Sequence, residues 1–275
     1  MRQWTGMPTE PVELLLRTRG PLVIAHRGAS VEAPETTMAA FERAVALGAD
    51  AIELDVRVTA DDDVVVLHDP TLLRTTGISG AVEAMTTRAV HDADAGSTFS
   101  PDGGRSFPFR ERNVRVPLLA EVLEAFPHTP LLVEVKTVRA MQALEKLVRR
   151  HGAAGRVVPA SEHHGALTSF RADPFHCGAS RRDIARLYFG ALVGAPLPRR
   201  GHYGLLAVPY RWRGLEVPTR GFIRAAHRLG AAVHVWTVDD PAEARRLWER
   251  GVSGIVTNDP GTMLAARGAL GSRQG

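Results

Sequence analysis

The stretch Ala51-Ile52-Glu53-Leu54-Asp55-Val56-Arg57-Val58-Thr59-Ala60-Asp61-Asp62-Asp63-Val64-Val65-Val66-Leu67-His68-Asp69-Pro70 decides the fold. Its first part is a short apolar β-rich run in which Glu53 and Asp55, two residues apart, project from one face. An Asp-rich turn follows, flanked by β-branched residues and with no room for a helix, which predicts a hairpin. With the turn centred on residues 61–62, His68 folds back opposite Asp55. The hairpin therefore carries a histidine to the same end of the sheet as two carboxylates.

Outward from this stretch, comparable apolar runs recur at residues 22–26, 131–136, 156–160, 175–179, 204–208, 232–237 and 253–257, making eight strand candidates with 51–56. Amphipathic stretches lie between most of them, at 35–47, 118–126, 138–151, 182–193, 219–229 and 241–250. Gly48, Gly152, Gly230 and Gly251 each stand just past a periodic run, as helix-ending glycines do. Alternating strands and helices imply a parallel sheet covered by helices, and eight strands favour closure into a barrel over an open sheet. The expected fold is α/β, a (β/α)₈ TIM barrel with an extra hairpin strand and a capping insertion after it.

The 275 residues, 44% hydrophobic and 23% charged, suit one large core, since such barrels use about 200–250 residues. The chain divides into an N-terminal extension (1–20), one barrel domain (21–268) and a short tail (269–275), with the insertion at about 70–116. Within that insertion Gly77, Gly80, Gly96, Pro101, Gly103, Gly104 and Pro108 interrupt every periodicity. Its mixture of Arg105, Phe107, Phe109, Arg110 and Arg112 reads either as a self-packed loop or as a surface meeting substrate or a lipid headgroup.

No apolar run approaches the roughly 18 residues of a membrane-spanning helix. Pro8, Glu10, Pro11 and Glu13 interrupt the N-terminus where a secretory signal needs apolar residues, so the expected location is cytoplasmic. Cys177 is the single cysteine, which excludes an intrachain disulfide and a cysteine metal cluster. The formal charge of +4 is spread in arginine pairs (149–150, 181–182, 199–200, 245–246), a pattern of solvated helix faces rather than of a nucleic-acid surface. Residues 188–203 read as a helix end and loop, with a weak interfacial membrane contact as the other reading. No oligomeric state is assigned.

Glu134 and Lys136 project together from the next barrel strand, as Glu53 and Asp55 do, and all four fall near the C-terminal strand ends where barrel enzymes place their chemistry. Three carboxylates in one barrel mouth repel one another and lose hydration. One divalent cation resolves this, and an all-oxygen set suits a hard ion, Mg²⁺ or Ca²⁺. The plainer reading pairs Glu53 and Glu134 with Arg27, Arg57 or Lys136. His26, at the end of the first strand, and His68 converge on the same cluster. Two groups of near-neutral pKa are what a phosphodiester cleavage needs to remove one proton and deliver another. Arg27 offers a planar fork for phosphate oxygens, and Lys136 a point charge. His234 reads as structural, and His163, His164, His202 and His227 are assigned no role.

These residues closely resemble a known family. His26-Arg27-Gly28, Ala33-Pro34-Glu35-Thr36-Thr37, Glu53-Leu54-Asp55, His68-Asp69-Pro70, Glu134-Val135-Lys136, Val235-Trp236-Thr237-Val238 and the segment from Gly251 to Asn258 are similar, in order, to the motifs of the glycerophosphodiester phosphodiesterases. The arrangement also resembles that of phosphoinositide-specific phospholipases C. The resemblance implies a metal held by Glu53, Asp55 and Glu134, His26 and His68 as the acid–base pair, and hydrolysis of a small glycerophosphodiester to glycerol 3-phosphate and an alcohol. It implies that Glu35 supports the metal or Arg27 from behind, and that Trp236 lines the substrate pocket. Thr36 stands where the family usually has Asn, and Ser161-Glu162-His163 where it commonly has Ser-Phe; the added charges read as solvated. Two further readings are a lysophospholipase D acting on a lipid with one acyl chain, and a non-catalytic barrel that binds phosphate esters.

Overall fold

The computed structural model describes residues 10–171, 174–194 and 202–271. Aliphatic, largely β-branched runs make the strands β1 (Leu22–His26), β2 (Ala51–Val58), β3 (Val64–Val66), β4 (Leu131–Val135), β5 (Val157–Ala160), β6 (Leu205–Pro209), β7 (Arg211–Trp212), β8 (Leu215–Glu216), β9 (Ala232–Trp236) and β10 (Gly254–Thr257). Seven of them form the parallel order β5-β4-β2-β1-β10-β9-β6. The gap between β5 and β6 is bridged by Gly178, whose N–H donates to Pro159 O, while Ala179 N–H donates to Leu205 O, both at 2.8 Å. The strand expected at 175–179 is thus one parallel bridge, Gly178 to Leu205. A Cβ at position 178 would lie 3.1 Å from that of Ala160, so glycine permits the close approach that completes the barrel.

The helices are α1 (Val12–Leu16), α2 (Met38–Leu47), α3 (Leu73–Thr76), α4 (Thr87–His91), α5 (Leu119–Ala125), α6 (Val138–Arg150), α7 (Arg181–Val193), α8 (Arg220–Arg228), α9 (Pro241–Glu249) and α10 (Pro260–Gly271). Side-chain caps at Thr37, Thr137, Thr219 and Asp240 start α2, α6, α8 and α9 by accepting the first free N–H groups. The cap at Thr37 places Glu35 ahead of α2, although the amphipathic pattern extends back to it, and so frees its side chain for the site. The glycines at 48, 152, 230 and 251 all adopt positive φ, as helix ends require.

Alternation along the staves separates two environments. Ile24, Ala51, Leu132, Val158, Leu205, Ala232 and Val256 point inward and pack with Val12 and Leu15 of α1. The short helix α1 therefore stoppers the N-terminal floor of the barrel, with its Val12 N–H bonded to Gly155 O at 2.8 Å. The opposite mouth receives the polar strand ends.

The hairpin between β2 and β3 forms, in a register one residue from expectation. Val56 pairs with Val66 and Val58 with Val64, and Leu67 N–H donates to Asp55 O at 3.0 Å, so Leu67 rather than His68 stands opposite Asp55. The cause is the turn, where Asp62 takes a left-handed conformation (φ 66°) and the reversal centres on Asp61. Beyond β3, the insertion packs on its own small core of Leu72, Val82, Val90, Ala93, Ala95 and Val116 against Val65 and Leu67. Arg110 stacks over Phe107 at 3.9 Å and Phe99 meets Phe109 edge-on, which makes this segment self-packed. No helix among the described residues is long and apolar enough to cross a membrane.

Candidate active site

Strand register assembles the carboxylates. His26 pairs across the sheet with Glu53, and Asp55 with Glu134, so adjoining staves present these four side chains together. One carboxylate oxygen from each of Glu53, Asp55 and Glu134 lies within 4.8 Å of the others. Lys136 Nζ sits 2.8 Å from Asp55 Oδ1 and 2.9 Å from Glu134 Oε1. Arg27 Nε approaches Asp55 Oδ2 to 3.1 Å without the alignment of a hydrogen bond, and both atoms are buried unpartnered. Glu53 Oε2 is a third buried atom without a donor. Burial, followed by the charges of Asp55 and Glu134, holds the Glu53 carboxyl well above the usual carboxylate range. Two buried carboxylate oxygens without a hydrogen-bond donor, facing a third carboxylate, are what a hard divalent cation would satisfy, and its charge would reverse the shift of Glu53.

The two histidines are held differently. His26 Nδ1 lies 2.7 Å from Asn258 Oδ1. Asn258 donates its Nδ2 to Asp239 Oδ2 at 2.7 Å and its backbone N–H to Asp239 Oδ1 at 2.8 Å, which turns the amide oxygen toward the imidazole. An acceptor at Nδ1 requires the proton there, so neutral His26 keeps an unprotonated Nε2, 3.8 Å from Glu53 Oε2. His68 Nδ1 lies 2.7 Å from Asp69 Oδ1, a carboxylate partner that fixes the orientation of the ring. Arg57 fixes the backbone at this point, donating Nε and Nη2 to His68 O at 2.9 and 2.7 Å.

A chain of ion pairs connects the two halves of the mouth. Glu35 accepts from Arg27 Nη1 at 3.0 Å and from both Arg74 amino groups at 2.8 and 2.7 Å. Arg74 Nε donates to Asp69 Oδ2 at 2.5 Å. Arg27 is thus turned toward Glu35 and Asp55, and Arg74, from the insertion, braces the carboxylate behind His68. Thr36 sits at φ 57°, a left-handed conformation that asparagine tolerates and β-branched residues resist, which explains why Asn suits this position.

Trp236 ends β9 partly exposed, and His234, two residues deeper on the same side, is fully buried. His234 Nε2 donates to Leu15 O at 2.8 Å, a structural role. Arg27, His26, Glu53, His68, Glu134, Lys136 and Trp236 all border one cavity of about 480 Å³, whereas no residue from 71 to 116 does. Glu162 is exposed at the rim, 3.8 Å from Arg181. A second group with metal-like spacing is His164, Asp183 and His202. There Asp183 Oδ2 already accepts from Ser180 N and Oγ as the cap of α7, and Arg171 Nη2 lies 3.3 Å from both ring nitrogens of His164. Both groups have a basic side chain close by, but Asp183 Oδ2 is taken up by the cap of α7 whereas Glu53 keeps a buried oxygen without a donor, so the three-carboxylate group is the better candidate.

Asn258, Asp239 and Arg74 were not singled out by sequence reasoning. Asn258 follows the end of the last barrel stave, a position that signals function in this fold; Arg74 stands in a segment without periodicity and carries no such signal.

A barrel whose C-terminal mouth joins buried carboxylates to two oriented imidazoles has the groups that acid–base cleavage of a phosphodiester requires, the equipment of a phosphodiesterase. The chain belongs to the glycerophosphodiester phosphodiesterases: residues 26–262 match the model of the Glycerophosphoryl diester phosphodiesterase family. It is 32% identical over 253 residues to a glycerophosphodiester phosphodiesterase of Caldanaerobacter subterraneus subsp. tengcongensis, covering 88% of this chain and 96% of that protein. A probable glycerophosphodiester phosphodiesterase 2 of Mycobacterium tuberculosis is 31% identical, with 92% of each chain covered. The crystal structure of a glycerophosphodiester phosphodiesterase from Agrobacterium tumefaciens superposes with a TM-score of 0.71 at 27% identity, over 90% of this chain and all of that one.

Proposed function

We propose that Glu53, Asp55 and Glu134 hold one divalent cation, Mg²⁺ or Ca²⁺, and that His26 and His68 exchange protons with a glycerophosphodiester bound beside it. The observation that carries the reading is the pair of buried oxygens on Glu53 and Asp55 that accept no hydrogen bond, next to a histidine whose Nε2 faces the Glu53 carboxylate at 3.8 Å. When bound, the cation supplies positive charge that polarises the phosphoryl group and offsets charge developing on its oxygens.

The chain's own groups do the rest. His26 Nε2, unprotonated because Asn258 occupies Nδ1, takes the proton of the attacking hydroxyl, which belongs to water or to the substrate's glycerol. His68, oriented through Nδ1 by Asp69, gives a proton to the departing alkoxide. Arg27 and Lys136 face the phosphate oxygens with fixed positive charge, and Trp236 stacks on the organic part of the substrate. Glu35 positions Arg27. The products are an alcohol and glycerol 3-phosphate, formed directly or through a cyclic phosphate. A cytoplasmic location belongs to the same proposal.

The test is release of choline from glycerophosphocholine by the purified chain with Mg²⁺ or Ca²⁺. Glu53→Gln is expected to reduce it by about 10²-fold or more. No release with either ion, or full activity in Glu53→Gln, contradicts the proposal.

A further inference from the structure

The insertion lends no wall to the cavity, yet Arg74 reaches the site from it. This residue stands in the short helix α3, between the buried Leu72 and the buried Thr75 and Thr76. Its carbonyl accepts from Thr98 Oγ1 at 2.9 Å, and the same hydroxyl lies 3.0 Å from Thr75 O, so a second part of the insertion fixes the backbone there. The side chain leaves this support half-exposed and meets two carboxylates at the barrel mouth.

The contacts use the whole guanidinium. Nη1 donates to Glu35 Oε2 at 2.8 Å and Nη2 to Glu35 Oε1 at 2.7 Å, a two-pronged grip that fixes the plane of the group. Nε then donates to Asp69 Oδ2 at 2.5 Å, and the other oxygen of that carboxylate meets His68 Nδ1 at 2.7 Å. Among the described residues the Asp69 carboxylate has these two partners. Partial burial pushes the Asp69 carboxyl up, but the bonds from Arg74 and His68 outweigh it and hold the group down at about 2. Arg27 does not depend on Arg74 in this way, because Glu35 and Asp55 both lie beside it. Without Arg74, Asp69 is free to turn, and His68 with it.

We propose that Arg74 is a positioning residue for His68: Glu35 anchors its plane, Asp69 receives its Nε, and the imidazole is thereby aimed at the leaving oxygen. This rests on the phosphodiesterase reading above and gives the insertion its part in the reaction. In the step it serves, the bond from phosphorus to the headgroup oxygen breaks, and that oxygen takes the proton of His68 Nε2. The new P–O bond comes from the attacking hydroxyl, whose proton passes to His26 Nε2. Arg74 borders no part of the cavity, so its effect on the substrate passes through Asp69.

The experiment compares two leaving groups with the full chain and Mg²⁺ or Ca²⁺. Choline, from glycerophosphocholine, leaves as an alkoxide that must be protonated; p-nitrophenolate, from the p-nitrophenyl ester of glycerol phosphate, departs without a proton. Arg74→Ala is expected to lower kcat for glycerophosphocholine by about 10²-fold, the scale of a misplaced catalytic group, with KM changed little. For the nitrophenyl ester the expected loss is less than about threefold. Both substrates sample the same folded fraction, so the ratio of the two losses reads positioning even where stability changes. In an Asp69→Asn background, Arg74→Ala is expected to cost nothing further. Equal losses with the two leaving groups, or losses that multiply in the double variant, overturn the proposal and leave the phosphodiesterase reading standing. If His68→Ala also fails to distinguish the leaving groups, His68 is not the acid, and the proposal falls with that assignment. Failure of the wild type to cleave either substrate overturns the phosphodiesterase reading itself.

Discussion

Asn258 performs no proton transfer, yet its amide oxygen decides which nitrogen of His26 faces the carboxylates, and Asp239 decides which way that amide points. Substituting Asn258 with leucine removes the acceptor and lets the ring take the other tautomer or turn. The expected outcome is a fall in kcat of about 10²-fold, the scale of one acid–base group, with KM and the affinity for the cation changed little. Unaltered kcat would show that the tautomer is set elsewhere. At this scale the sequence is informative where strand alternation applies: Glu53, Asp55, Glu134 and Lys136 are readable because residues two apart share a face. Asp239 and Arg74 are not, since a loop carries no period and their partners are distant in sequence. Lys136 and Arg27, proposed to face phosphate, are partly engaged by Asp55, Glu35 and Glu134, which no local pattern could reveal.

Elements follow the same division. The amphipathic helices were legible to within a few residues, but the β2–β3 register depended on one left-handed aspartate in the turn. The β7–β8 hairpin, with two residues in each strand, is too short for any alternation to announce it. The helix α7, which carries one wall of the cavity, starts from a reciprocal cap in which Ser180 and Asp183 satisfy each other's backbone N–H groups. Asp183→Ala should therefore lower the unfolding free energy by about 1–2 kcal/mol in urea melts and leave the cation dependence of turnover as it was. A changed cation dependence would instead place an ion among His164, Asp183 and His202.

Across the whole molecule, the barrel assigns its floor to packing and its mouth to charge. His234 marks the boundary. It is fully buried, one nitrogen bonds to Leu15 O, and the other has no partner. Burial pulls its pKa down to about 4 from 6.5. The folded protein keeps this ring neutral while the unfolded chain protonates it, so stability is complete above pH 6.5 and is lost as the pH falls toward 4. That loss amounts to about 3 kcal/mol for this group, measured as the difference in urea unfolding between the wild type and His234→Gln at pH 7 and pH 4. The fold class was legible because eight buried runs alternate with helices. The apolar run at 175–179 was legible as a stave, but not that the barrel closes there through a single bridge at Gly178, because a close approach permitted by glycine leaves no pattern in sequence.

If Glu53, Asp55 and Glu134 hold the proposed cation, the most direct measurement is the rate of glycerol 3-phosphate release from glycerophosphocholine before and after exhaustive chelation. The predicted result is a loss of about 10²-fold or more, restored by adding Mg²⁺ or Ca²⁺. A chelated protein that turns over at its original rate would contradict it.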